Sequence, residues 1–424
     1  MSRLKEATGY RRPKRLSVKR IREAKEKSRP YFEAVEEVAL ANQEKVLSAF
    51  HAVRVGSHCF TDSTGYAYSD PGREALEAVY AHVFRADAAL VRPQIASGTH
   101  AISLCLSILE PGEELVSVTG APYDTLQAVI GVRGHSPRSL VNRGISYSEV
   151  PLLDDGTIDL ASIARKITPK TKMAILQRSR GYSWRPSLTI DELAAAINAI
   201  RSSNPTCIIF VDNCYGEFVE FYEPLEAGAD LIAGSLIKNP GGTLAVSGGY
   251  IAGREDLVQL CAEILTAPSL AGKIGPTFGL TRQLLQGLFL APHVVGEAVS
   301  GAILASQLFE SLGYAVSPLP FERRTDIVQA IRFHSRDELL RFCHGIQKAA
   351  PIDAHYMPVP SPMPGYSDQV VMAGGTFIQG SSIELSADAP LREPYIGYLQ
   401  GGMSRQHVEI GLKYALDELG IFEQ

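Results

Sequence analysis

Four short stretches of the 424-residue sequence carry residue types that can do chemistry. Ser97-Gly98-Thr99 opens the run SGTHAISLCL, and Tyr123 follows the apolar run ELVSVT. Asp212 closes the apolar run CIIFVD, and Lys238 lies in GSLIKNPGG, shortly after Ser235. Small residues at a helix start offer free backbone N–H groups and the positive end of the helix dipole to a phosphate. An aromatic ring can stack on a flat heterocycle. A buried carboxylate can keep a ring nitrogen protonated, and a lysine amine can bond to an aldehyde carbon. Glycine, serine and proline around Lys238 let other groups come close to its backbone.

Taken singly, each feature has a plainer reading. Ser-Gly-Thr caps many ordinary helices, and a lone tyrosine is usually a core or edge residue. Val-Asp-Asn after a strand can cap a turn or hold a metal in nucleotide enzymes. A lone lysine is usually solvated. The four occur in chain order at the ends of strand-like runs, and together they describe a site for pyridoxal 5′-phosphate.

The elements that must position them alternate. REALEAVYAHVF places Leu76, Val79, Tyr80, Val83 and Phe84 on one helical stripe. A second helix runs from SGTHAI towards Pro111-Gly112, then strand ELVSVT and helix YDTLQAVIG. Strand ISYSEV, helix LASIARKI, strand KMAILQ and helix TIDELAAAINAI follow, then strands CIIFVD, DLIAGS and GGYIAG. Such alternation predicts an α/β fold with a mainly parallel sheet covered by helices. Ligands in these sheets bind at the carboxyl ends of the strands. A long helical connector begins near residue 282, and a smaller α/β unit follows, with strands DIVQAIRF and SSIELSAD and helices SRDELLRFCHGIQKA and RQHVEIGLKYALDELG. The expected division is a basic helical arm (1–52), a large α/β domain (53–295) and a small C-terminal α/β domain (296–424).

Composition narrows the setting. The chain is 45% hydrophobic and 21% charged, ordinary for a globular protein of two or three domains. A net charge of −5 gives no global reason to expect a polyanionic partner. The run RRPKRLSVKRIREAKEK is basic, as nucleic-acid-binding segments can be, but its all-round charge reads as a solvated helical arm. No uninterrupted apolar stretch approaches the roughly 18 residues of a membrane helix. The opening MSRLKEATGYRRPKRLS has no apolar secretory core. Six scattered cysteines without a Cys-x-x-C pair suggest reduced thiols and a cytoplasmic protein. The ten histidines show no metal-ligand spacing, so no metal is expected.

Several longer segments carry a family resemblance: GYAYSDPGREALEAVYAHVF, ALVRPQIASGTHAI, GAPYDTL, LQRSRGY, VDNCYGEFVE, GADLIAGSLIKNPGGTLAVSGGYIAG, RTDIVQAI and SSIELSADAPLREPY. On these the chain resembles the fold-type-I pyridoxal-phosphate enzymes of cysteine and methionine metabolism. It is most similar to the methionine gamma-lyase-like branch also called aluminium resistance proteins. The resemblance implies a seven-stranded type of sheet in the large domain. It implies Lys238 as the Schiff-base lysine, Asp212 as the partner of the pyridine nitrogen and Tyr123 as the stacking ring and proton donor to a departing thiolate. Ser97, Gly98, Thr99 and Ser235 would hold the phosphate, and Arg392 the substrate carboxylate.

The sequence departs from the better-known branch in three places. Its Tyr-x-Arg, which reaches the neighbouring subunit's phosphate, is here Tyr66-Ala67-Tyr68, with Arg73 further on. Tyr66 could keep the contact across subunits, and Tyr68 is a candidate for the substrate. Ile237 replaces the usual threonine before the lysine. Gln177-Arg178-Ser179-Arg180 replaces an asparagine loop, so Gln177 or Arg180 could face the cofactor's 3′ oxygen, with Arg180 also a substrate candidate. The resemblance implies a carbon–sulfur lyase of methionine gamma-lyase or cystathionine beta-lyase type, releasing a thiol, a 2-oxo acid and ammonia. It implies a homodimer or homotetramer with shared sites. The same four residues would equally serve a transsulfuration synthase, an aminotransferase or a racemase, and a non-catalytic binding protein on the same fold is a further alternative.

Overall fold

The computed structural model describes residues 15–67, 69–134, 136–363 and 366–421. The chain opens with helix α1 (Arg15–Val53). It continues through α2 (Pro71–Phe84), β1 (Ala88–Arg92), α3 (Gly98–Leu106), β2 (Glu114–Ser117), α4 (Asp124–Ile130) and β3 (Ser146–Glu149). Then come α5 (Leu160–Lys166), β4 (Thr171–Gln177), α6 (Ile190–Ser203), β5 (Ile208–Asp212), β6 (Leu231–Ser235), β7 (Gly249–Gly253) and α7 (Glu255–Leu265).

These strands form one seven-stranded sheet in the order β1-β7-β6-β5-β4-β2-β3. From β6 to β3 every pairing is parallel, whereas β7 runs antiparallel to both β6 and β1. The central strands are apolar except at their ends because both faces are covered. Along β5 and β6 the side chains alternate between two cores. Ile209, Val211 and Ile232 join the core that includes α2 and α6, while Ile208, Phe210, Leu231 and Ala233 join the one beneath α3, α4 and α7. Strand β1 escaped the sequence reading: it is five residues long and sits directly between two stronger helices. Helix α3 ends at Leu106, earlier than expected, where the Ser107 hydroxyl donates back to the Ser103 carbonyl at 2.7 Å.

Helix α8 (Thr281–Ser311) leads out of the large sheet and runs without a break through positions 295 and 296. By length and composition it is the helix that could cross a membrane among the described residues, yet most of its surface is buried against the rest of the chain. Beyond it lie β8 (Ala315–Ser317), β9 (Val328–Arg332), α9 (Arg336–Lys348), β10 (Ser361–Pro362), β11 (Gln369–Ala373), β12 (Ser386–Pro390), β13 (Ile396–Gln400) and α10 (Arg405–Leu419). Their sheet is antiparallel, in the order β10-β11-β12-β13-β9-β8. The strand expected over SSIELSAD overlaps β12 only at Ser386–Asp388. Ser382 and Glu384 instead stay outside the ladder, and Glu384 accepts from the Phe377 and Ile378 N–H groups.

The basic segment before Arg15 lies outside the described residues. From there α1 lies along α8 and buries Ile21, Ala24, Phe32, Val46 and Ala49. Lys25 pairs with Glu409 of α10 at 3.0 Å, and the Arg405 guanidinium covers the Phe32 ring at 4.4 Å. Buried Asn42 donates to the carbonyls of Phe218 (3.2 Å) and Glu220 (3.0 Å), fastening α1 to the loop after β5.

Candidate active site

Register brings the candidates together. On neighbouring strands β4 and β5, Gln177 and Asp212 are paired residues, and Asp212 pairs in turn with Ala233 of β6, whose last residue is Ser235. Ser97 caps α3, its hydroxyl accepting the His100 N–H at 3.1 Å. The first N–H groups of a helix have no partner within it, so those of Gly98 and Thr99, not taken up by Ser97, remain for a ligand. Gly98 allows the turn to press on β6: a Cβ there would lie 3.1 Å from the Ser235 Cβ and 3.2 Å from the Cys214 Sγ. Lys238 stands at the start of a tight turn after β6. A Cβ on Gly241 would collide with the Leu236 carbonyl oxygen, so only glycine closes that turn.

One cavity of about 790 Å³ is lined by Ser97, Gly98, Thr99, Tyr123, Gln177, Asp212, Ser235 and Lys238. Asp212 is buried and accepts the Cys214 N–H at 3.1 Å. Burial raises its pKa, and the Lys238 ammonium pulls the other way. Burial opposes charge on Lys238 as well, but the acidic groups of Cys214, Tyr215, Asp212 and Tyr123 outweigh it and hold the free amine above the ordinary lysine range. The Tyr123 phenol lies 3.3 Å from the Thr99 hydroxyl. Burial, reinforced by Asp212 and Cys214, raises its pKa and keeps it a neutral phenol. Gln177 faces inward with both ends engaged: Oε1 accepts the Tyr123 N–H at 3.0 Å and Nε2 donates to the Ser179 carbonyl at 2.9 Å. Gln177 therefore sets the position of Tyr123.

The remaining candidates separate. Tyr66 forms an isolated bridge with Ile274, is 65% exposed and does not line this cavity. Tyr68 lies outside the described residues. Arg73 is buried, does not line this cavity, and its guanidinium donates to the carbonyls of Gly65, Gly275 and Lys273, a clamp on the Tyr66 segment. Arg392 lines the cavity but is exposed and paired with Asp368 at 2.9 Å. Arg180 is the contrasting case. It lines the cavity, is buried, and spends Nη1 on Ser317, while Nε and Nη2 have no partner among the described residues.

Two residues absent from the sequence reading also face this space. Tyr215 places its ring 3.9 Å from the Lys238 amine, with a left-handed backbone at φ 70°. Asp388 reaches the cavity from β12, carried by the SADAP segment already part of the resemblance. Asp388 did not show in the sequence, because contacts between the two sheets have no local periodicity, and Tyr215, in the loop after β5, is set by a left-handed turn that has none either.

A family model for methionine gamma-lyase matches residues 17–420. The Bacillus subtilis (strain 168) protein YnbB is 48% identical over 387 residues, covering 91% of this chain and 92% of YnbB. The solved structure of a carbon-sulfur lyase involved in aluminum resistance from Clostridium novyi NT is 45% identical. It superposes with a TM-score of 0.92 and covers 96% of both chains. The pyridoxal-5′-phosphate-dependent protein YhfS from Escherichia coli, at 18% identity and a TM-score of 0.63, shares the fold alone, the type-I fold of pyridoxal-phosphate enzymes. On the match across nearly its full length, the chain belongs to the methionine gamma-lyase family of carbon–sulfur lyases.

Proposed function

We propose that the protein binds pyridoxal 5′-phosphate and eliminates a thiol from a sulfur amino acid, leaving a 2-oxo acid and ammonia. The observation that carries this reading is the meeting of Lys238 and Asp212 in one cavity with Tyr123 and the Ser97–Thr99 turn. Lys238 would hold the cofactor covalently, Asp212 its ring nitrogen, Tyr123 its ring face, and the helix start with Ser235 its phosphate. The site fits that group: a buried carboxylate lacking full compensation is relieved by a cationic ring N–H. When bound, the cofactor supplies an electron sink for the charge left at the substrate Cα.

The chain's own residues supply the rest. The neighbours that raise the Lys238 pKa include Asp212. A cation set against Asp212 weakens that pull, so Lys238 becomes a better base for the Cα proton. Tyr123, kept protonated, donates to the departing sulfur. Arg180 offers its two unpaired donors to the substrate carboxylate.

Incubation with L-methionine, L-cystathionine and L-cysteine, with thiol and 2-oxo acid assayed, tests the reading. Release of both from at least one is expected, and no thiol from any would overturn it. The pure protein should absorb visible light, and Lys238→Ala should remove that covalent link. We read the assembly as a homodimer or homotetramer, because exposed Tyr66 could meet a cofactor only in another copy's site. The six free, buried cysteines suit a reducing cytoplasm.

A further inference from the structure

Arg178 is wholly buried and takes no part in the proposed chemistry. It follows Gln177 at the end of β4, and its N–H donates to the Asp212 carbonyl at 3.2 Å. The side chain reaches past Asp212 into the loop after β5. There Nη1 donates to Asn213 Oδ1 at 2.8 Å and to the Gly216 carbonyl at 2.9 Å, while Nη2 donates to Glu220 Oε2 at 2.8 Å. Glu223 lies 3.6 Å from Nη1, and it also accepts from Asn213 Nδ2 at 3.0 Å and from the Phe218 N–H at 2.9 Å. The fit is close: a Cβ on Gly216 would lie 2.5 Å from the Arg178 Cδ.

An ion pair this deep adds little to stability by itself, because desolvation offsets much of the attraction. The loop it serves is unusual, however. Two non-glycine residues there are left-handed, Tyr215 at φ 70° and Phe218 at φ 63°. Such backbone costs free energy and persists only where the surrounding contacts over-determine it. Tyr215 stands between the two residues that Nη1 grips, and its ring lies against the Lys238 amine. Arg178 does not line the cavity, so any effect it has on the chemistry must pass through this loop.

We propose that Arg178 is a positioning residue, which acts through Asn213 and Gly216 to hold the Tyr215 ring on Lys238 and so governs how readily that amine gives up its proton. This rests on the reading of Lys238 as the reactive lysine and adds the residue that sets its state.

The test reads Lys238 directly, by acetic anhydride labelling of the full-length, cofactor-free protein from about pH 7 to 11, with the labelled peptide quantified by mass spectrometry. Arg178→Lys keeps the charge and loses the fork that holds both sides of Tyr215. The labelling midpoint of Lys238 should fall by about half a pH unit or more. In a Tyr215→Leu background the same substitution should add no further shift, because the ring it acts through is gone. Gly216→Ala presses on the guanidinium and leaves its charge in place. It should reproduce both results, and it serves where Arg178→Lys does not fold. An unchanged midpoint in the folded variant would overturn the inference, as would an equal fall with and without the Tyr215 ring. The labelling needs no bound cofactor, so a Lys238 that never captures pyridoxal phosphate would count against the proposed function and leave this result standing.

Discussion

Lys238 and Tyr215 meet face to face, with the lysine Nζ 3.9 Å from the centre of the tyrosine ring. Tyr215 holds this position with a backbone at φ 70°, which costs a non-glycine residue roughly 1–2 kcal/mol. Its hydroxyl reaches the Ser381 carbonyl at 3.4 Å, so the ring is braced from the C-terminal part of the chain. The contact favours the ammonium form of the lysine by about 0.5–2 kcal/mol.

That contact has a measurable consequence in the cofactor-free protein. A raised lysine pKa means that capture of pyridoxal phosphate, which needs the neutral amine, speeds up as pH rises through the range 7 to 10. In Tyr215→Leu the amine loses the ring, its pKa drops by up to about one unit, and capture at pH 7.5 becomes faster by up to about tenfold. Tyr215→Phe keeps the ring but loses the acidic hydroxyl, so its profile should lie between those of the leucine variant and the parent. Borohydride trapping across pH gives the profiles. Coinciding profiles for the leucine variant and the parent would remove the cation–π account.

Tyr123 is placed to donate a proton to the leaving sulfur, and burial keeps its phenol protonated. Tyr123→Phe retains the stacking ring and removes the proton, so the loss should scale with the basicity of the leaving thiolate. For S-alkyl substrates kcat should fall by about 10²–10⁴. An S-aryl cysteine, whose thiolate departs without help, should lose far less. Equal losses for both substrates would show that the hydroxyl acts through its 3.3 Å contact with Thr99 instead.

How much of this was legible beforehand depends on how each residue is carried. Lys238, Asp212, Ser235 and the Ser97–Thr99 turn sit at the ends of strands or the start of a helix within the parallel sheet, where apolar runs and their stops mark the position in one dimension. Gln177 was visible for the same reason, as the last residue of β4. Asp388 was not, because its place at the site depends on how the antiparallel C-terminal sheet meets the parallel one, and Tyr215 was not, because the left-handed turn after β5 that sets its ring against Lys238 leaves no pattern in the sequence. Strands β11 and β13 were missed with them: QVVMA and IGYLQ are short, and loops separate them from the helices that cover them. The arginine for the substrate carboxylate was sought at Arg392, by its place in the resemblance, with Arg180 named only as a further substrate candidate. Its ion pair with Asp368 and the spare donors of Arg180 are tertiary facts with no signature in the sequence.

Those two arginines can be told apart kinetically. Arg180 is buried with Nε and Nη2 unpaired, so a carboxylate placed there gains a planar, charge-assisted pair of hydrogen bonds. Arg180→Lys keeps the charge and loses the fork, and it should raise KM for the amino acid by about tenfold or more. Arg392→Ala removes an exposed ion pair worth about 1 kcal/mol or less, and KM should change by less than about threefold. The reverse ranking would return the carboxylate role to Arg392.

Glu217 offers a test that needs no substrate. It is buried beside the site loop, with Tyr250 donating to Oε1 at 2.8 Å and Oε2 unpaired among the described residues. Burial lifts its pKa from 4.5 to about 8; the Tyr250 hydroxyl and Lys238 oppose the lift, and Glu223 adds to it. The folded chain therefore binds this proton more tightly than the unfolded chain. The stability it contributes is complete below about pH 4.5 and is lost as pH rises towards and through about 8. Glu217→Gln stays neutral and still accepts from Tyr250, so it escapes that loss. Its Tm should lie close to the parent's at pH 5 and exceed it by a few degrees at pH 8.5. Other titrating groups are common to both proteins and cancel in the difference. A Tm difference that stays constant from pH 5 to 8.5 would mean that Glu217 is already charged at pH 5, held so by Lys238 despite its burial.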